Sequence, residues 1–398
     1  MLYLYQQNHG SMRSLLLLIA FSILSCNSNG QHNTAANSKP KAQKTEKSYA
    51  NKLANAYYNP SKADLDLLSE IFNKLSPEQK AAQLIMIASS EKLGFPYETS
   101  VKPLADKGIA ANYIFLKGTS TAFRSQEQYL NTKTHGGLLP VNACDCEATL
   151  MHNKFTDQPR MSPTSRLSDS TRLIASLDSI MLVMKSLNIA INFAPVADLG
   201  TNKAVISNRA FSTNKDSLIR YNNMFINYSQ DNGIAATVKH FPGHGAVVGD
   251  THKEKVWIDG AMQELETFRS IIAASDPLLV MVGHISVKNN PEGYNTPNGI
   301  PASISRNIVT DLLKKQLGFK GIVTTDAMNM GAIKNIPNAD FEAVKAGVDL
   351  VLMPNDPQKL HHQIVAALQA NDALSRQIEV SVKKIILLKI VTGRITAS

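Results

Sequence analysis

Cysteine is scarce in this sequence. Three among 398 residues are too few for a disulfide framework. Tryptophan occurs once and aromatic residues make up 6% of the chain. Gly 21 and Pro 17 are too few for a collagen-like or low-complexity protein, and a hydrophobic share of 43% excludes a disordered one. That composition is globular, and the length suits one large α/β barrel or two to three smaller domains. Lys+Arg number 41 against Asp+Glu 32, a formal charge of +9. The basic excess points to a nucleic acid or a membrane until its distribution is known.

The N-terminus accounts for much of it. Met12-Arg13 precede the apolar run Leu15–Leu24, and Ser25-Cys26 follow. The run is too short to span a bilayer, which needs about 20 residues, so it reads as an export signal. Residues 1–11 do not suit such a signal, which makes Met12 a candidate start. Polar sequence follows at once, which argues against a buried helix. Ile23-Leu24-Ser25-Cys26 resembles a bacterial lipobox. That resemblance implies a signal peptide over 1–26, lipidation of Cys26, and a membrane-anchored protein of the bacterial cell envelope, facing the periplasm or the surface. A cleaved signal without lipid is the competing reading. Residues 27–50, rich in Asn, Ser, Gln, Lys and Ala without period, read as a flexible tether. Arg13, Lys39, Lys41, Lys44 and Lys47 against Glu46 place +4 in this leader, leaving +5 for the body. The body has no Lys/Arg cluster with interleaved aromatics, so no nucleic-acid partner is expected.

From residue 51 to 398 strands and helices alternate. Apolar runs of strand length lie at 83–88, 112–116, 139–145, 191–198, 235–241, 278–286, 321–327 and 349–354. They are nearly continuous in apolar residues, as for parallel strands buried on both faces. Residues 305–318 have helical period, with Ser305 a candidate cap and Gly318 a candidate stop. Eight such strands predict a single (β/α)8 barrel of the α/β class. A doubly wound open sheet is the alternative, weakened by the lack of G-x-G-x-x-G after the first strand.

Polar residues close five of these strands: Asp145, Asp198, Lys239-His240, His284 and Asp326. A charge ending a buried apolar strand needs a partner or a use, and the C-terminal rim of a barrel is where active sites form. Lys239-His240-Phe241-Pro242-Gly243-His244-Gly245 then runs into Asp250-Thr251-His252. Pro242 and Gly243 forbid a helix, so a loop follows the strand. In a loop, Asp250 can hold one nitrogen of His252 and leave the other for proton transfer. His240, His244, Asp250 and His252 are also zinc-ligand types, but no helix places them on one face, so no metal is expected.

KHFPGHG followed by D-T-H resembles the signature of glycoside hydrolase family 3, in its β-N-acetylglucosaminidase (β-N-acetylhexosaminidase) branch. INFAPVADLG with VISNRAF, LGFKGIVTTDAMNM and AGVDLVLMP resemble other segments of that branch in the same order, over roughly residues 65–395. The resemblance implies a cofactor-free retaining exo-glycosidase acting on terminal β-linked N-acetylglucosamine, for instance in peptidoglycan fragments. It implies Asp326 as nucleophile, His252 as acid/base and Asp250 as its partner. It also implies Asp145, Arg209, Lys239 and His240 as sugar-binding residues. A phosphorylase or β-glucosidase on the same scaffold, and a saccharide-binding lipoprotein without turnover, are the alternatives.

One segment departs from that pattern. After Asp145 the family has a Gly-containing stretch ending in Arg, whereas Cys146–Asn153 has no glycine and Asn153 at the Arg position. Cys144 and Cys146 flank Asp145. A bridge between residues i and i+2 of one strand would be strained, so two buried free thiols are expected.

Overall fold

The computed structural model describes residues 49–396. The export signal, Cys26 and the tether through Ser48 lie outside the described residues.

Among the described residues ten strands form in chain order: β1 Ile85–Ser89, β2 Asn112–Phe115, β3 Val141–Cys144, β4 Ile189–Asn192, β5 Ala235–Phe241, β6 Val256–Asp259, β7 Leu279–Val282, β8 Ile285–Lys288, β9 Ile322–Thr325 and β10 Val351–Leu352. Eight build one parallel sheet in the order β10-β1-β2-β3-β4-β5-β7-β9. A further bridge, Thr324 to Leu350, joins its two ends. This is the (β/α)8 barrel that the apolar runs predict. Its strands are buried along their whole length, and in β5 that includes Lys239 and His240.

Two expectations need correction. The run 278–286 is two strands. β7 belongs to the barrel, whereas β8 pairs with β6 in a separate two-stranded sheet. The break falls at Gly283-His284. Gly283 N–H donates to Phe241 O at 2.8 Å, and the His284 ring is held between Ser303 Oγ at 2.8 Å and Ala327 O at 2.9 Å. The helix expected over 305–318 runs Asn307–Gln316 with the wider π winding. Ser305 does not cap it with its side chain. Its backbone carbonyl accepts from Ile308 and Val309 instead, while its hydroxyl is buried without a partner. Gly318 follows the helix at φ +71°, where a side chain would be strained.

The barrel helices bury one stripe. In Ser170–Ser186, Leu173, Leu177, Ile180, Met181 and Met184 face inward, and the Asp169 side chain caps the start. Leu53, Ala54 and Tyr57 of the helix Lys52–Tyr58 join Val141, Ala235, Leu279 and Ile322 in one apolar cluster. Those four are first residues of their strands, so this helix closes the end where the strands begin. The opposite end stays open.

Candidate active site

At the C-terminal ends of the strands lies an open cleft of about 1130 Å³. Asp145, Arg209, Lys239, His240, His252 and Asp326 all line it. The barrel thus gathers six of the seven predicted site residues around one space. The seventh, Asp250, stands behind His252.

Asp326 follows β9, and its backbone N–H donates to Val282 O at 3.0 Å. One carboxylate oxygen accepts from Ala327 N at 2.8 Å. Burial raises the pKa of this carboxyl, but the imidazoles of His240, His284 and His252 and the Ala327 N–H outweigh it. The net effect holds Asp326 below its ordinary value. It is therefore ionised at neutral pH.

The loop after β5 carries the Asp250–His252 pair. His252 Nδ1 lies 2.8 Å from Asp250 Oδ1, which also accepts from the His252 backbone N–H at 2.9 Å. That leaves Nε2 for a ligand. Burial raises the Asp250 pKa, but the His252 backbone and ring bring it below the ordinary carboxylate value. The His252 side chain is 60% exposed. Gly331 and Ala332, downstream of Asp326, donate to His252 O at 3.0 Å and Thr251 O at 3.1 Å. A Cβ at Gly331 would come within 2.7 Å of that His252 oxygen, so only glycine permits the approach.

On the far side stands an ion network that motif reading does not reveal. Asp145 binds Lys154 Nζ at 2.6 Å and Lys239 Nζ at 3.0 Å, one through each oxygen. Lys239 also meets Glu147 at 2.7 Å, and both are about 2% exposed. Arg209 grips Glu147 with two bonds, 2.8 and 2.9 Å. Burial alone would raise both carboxyls. The cations outweigh it, holding Asp145 well below its ordinary value and Glu147 at about 2. Lys154 lies one residue beyond Asn153, where the family pattern has Arg, and supplies a cation to Asp145. Sequence reasoning missed it because helix Met151–Lys154, not the alignment position, sets which side chain turns inward. His240 Nδ1 is held by Asp198 Oδ2 at 2.6 Å, which orients the ring toward the cleft from below.

Cys144 and Cys146 form a disulfide, not the free thiols expected. β3 ends at Cys144, so Cys146 is not held on an extended strand. The Cα atoms are 5.5 Å apart, within the bonding range. The Asn192 amide fixes Cys146 at both its N–H and its carbonyl, 2.9 and 3.2 Å. Lys117 and Met353, both lining the cleft, adopt left-handed φ of 54° and 52°, backbone strain of a kind that clusters at functional sites. Among the described residues no group of three or more His, Cys, Asp or Glu side chains could hold a metal ion.

The family model described as "Glycosyl hydrolase family 3 N terminal domain" matches residues 77–388. The chain belongs to glycosyl hydrolase family 3. Among similar proteins, Beta-hexosaminidase A of Pseudoalteromonas piscicida is 32% identical over 230 residues, 52% of this chain and 38% of that protein. The Beta-hexosaminidase of Actinobacillus pleuropneumoniae serotype 3 is 31% identical over 217 residues, 51% of this chain and 61% of that one. The match thus spans less than two thirds of these relatives. Among solved structures, a family 3 beta-N-acetylglucosaminidase from Paenibacillus sp. str. FPU-7 superposes with a TM-score of 0.69 at 26% identity, covering 81% of this chain and 65% of that one.

Proposed function

We propose that this family 3 protein is a retaining exo-glycosidase that removes terminal β-linked N-acetylglucosamine. The observation that carries the reading is the pairing across one cleft of an ionised Asp326 with a carboxylate-held His252. In the first step His252 Nε2–H gives its proton to the glycosidic oxygen. Asp326 attacks the anomeric carbon, and the bond to the leaving group breaks. In the second step His252 takes a proton from water, whose oxygen displaces Asp326 and restores the β configuration. Most retaining glycosidases use two carboxylates, and a His–Asp pair replaces one of them here. Asp145 with Lys154, and Lys239 with Arg209, supply charged hydrogen-bonding groups for the sugar hydroxyls. The printed names of the hexosaminidase relatives support the substrate.

Peptidoglycan fragments as the natural substrate and anchoring through Cys26 belong to the same proposal. The chain enters the barrel where Ala50 and Lys52 N–H groups donate to Asp231, at 3.0 and 2.9 Å, beside the closed end.

The test is release of the phenol from an aryl β-N-acetylglucosaminide and from the matching β-glucoside, each with and without phosphate. Turnover of the first in phosphate-free buffer supports the reading. Cleavage of the glucoside alone overturns the substrate, and a requirement for phosphate with formation of a sugar 1-phosphate overturns hydrolysis.

A further inference from the structure

The loop that carries Asp250 and His252 leaves β5 through two glycines, and both lie against one buried side chain. A Cβ on Gly243 would fall 2.5 Å from Glu264 Oε2, and one on Gly245 2.6 Å from Glu264 Oε1. Glu264 itself is buried. Its two oxygens take three backbone donors. Oε1 accepts from Leu199 N at 2.5 Å, and Oε2 from Gly245 N at 2.9 Å and Ala246 N at 3.1 Å. Leu199 lies beyond β4 and Asp198, while Gly245 and Ala246 are the first free stretch of the loop. One carboxyl group, its pKa pushed up to about 8 by burial and by the nearby Asp198, therefore ties the loop's root to the neighbouring barrel segment. Asp198, which takes His244 N at 2.7 Å, and Thr201, whose hydroxyl donates to Gly245 O, hold the same root. Past Ala246 the loop rises into solvent, and Val248 is 96% exposed before the chain returns to Asp250.

Glu264 touches neither the cleft nor the Asp250–His252 pair. Among the described residues its side chain forms no ion pair, and its hydrogen-bond partners are the three N–H groups. A buried carboxyl is costly unless its hydrogen bonds do structural service. Here they fix where the loop leaves the barrel, and hence where His252 stands relative to Asp326.

We propose that Glu264 is a positioning residue for the acid/base, acting through the root of the Gly243–His252 loop. The proposal rests on the glycosidase reading. It also has a chemical signature. Proton donation matters for a basic leaving group and hardly at all for an acidic one, so a displaced His252 slows cleavage of the former selectively. General loss of folded protein slows both alike.

The experiment compares 2,4-dinitrophenyl and methyl β-N-acetylglucosaminides in the wild type, Glu264→Gln, Glu264→Ala and His252→Ala. The quantity read is the ratio of kcat/KM for the methyl glycoside to that for the dinitrophenyl glycoside, which cancels any inactive fraction. We expect the ratio to fall about tenfold or more in Glu264→Ala, in the direction of His252→Ala. Glu264→Gln, which keeps one acceptor oxygen, should lie between Glu264→Ala and the wild type. A ratio unchanged in both Glu264 variants overturns the positioning role while leaving the glycosidase reading intact. Wild-type protein that cleaves neither substrate overturns both.

Discussion

Lys154 shows how a single residue can move within a motif without losing its charge. The family pattern places Arg where this chain has Asn153, yet the Asp145 carboxylate still meets a cation at 2.6 Å from the next position. Lys154 offers one point charge where Arg would offer a planar fork, so the contact to Asp145 survives but a two-pronged grip is lost. Replacing Lys154 with Met should raise KM for the N-acetylglucosaminide about tenfold, equivalent to about 1.4 kcal/mol of binding, with a smaller change in kcat. Steady-state kinetics check it, and an unchanged KM would remove Lys154 from the sugar site. At this scale the sequence made Asp250 and His252 visible through one uncommon motif and Asp326 through the separate segment LGFKGIVTTDAMNM. Lys154, Glu147 and Glu264 were not visible, because each is chosen by packing and by the turn of a short helix or loop. The Cys144–Cys146 bond escaped for a similar reason, since the strand ends sooner than the apolar run suggests.

At the scale of elements, Asp349 ties a strand to two helices. Its carboxylate binds Lys314 at 2.8 Å, Lys384 at 3.1 Å and the Ser381 hydroxyl at 2.6 Å, and it accepts from Val323 N of β9 at 2.8 Å. Lys314 belongs to the helix Asn307–Gln316, Lys384 and Ser381 to the helix Ala373–Val391. Burial alone would raise this carboxyl, but the two lysines dominate and bring it down to about 2. Because its folded pKa is depressed, the stabilisation it gives is complete above the ordinary carboxylate value near 4. It is lost as pH falls through about 2. Asp349→Asn should cost about 3 kcal/mol at pH 7 and flatten the fall of stability between pH 4 and pH 2. Denaturant melts at several pH values measure both. A variant that keeps the wild-type slope in that window would contradict the assignment. The elements themselves were mostly legible, because buried parallel strands read as unbroken apolar runs. The exception, 278–286, merged two strands because Gly283-His284 interrupts the geometry without interrupting the apolar pattern.

On the scale of the whole molecule, one barrel with a closed end and an open end explains why residues from β3 to β9 converge. Asp145 and Asp326 are 181 positions apart in the chain, yet both leave strand ends on the same rim. That convergence was predictable, since eight apolar strands, five of them closed by polar residues, allow few other arrangements. The closed end receives the chain at Ala50 and Lys52.

The central claim is that Asp326 forms a covalent bond to the sugar. The direct measurement is mass spectrometry of the protein after incubation with a fluorinated β-N-acetylglucosaminyl fluoride. Its ring fluorine slows both steps, and its good leaving group keeps the first step faster than the second. The account predicts one added sugar residue per chain, located on the peptide that contains Asp326, and no adduct in Asp326→Asn. Turnover of N-acetylglucosaminides with the label on another residue, or an Asp326→Asn variant that is labelled and active like the wild type, would contradict it.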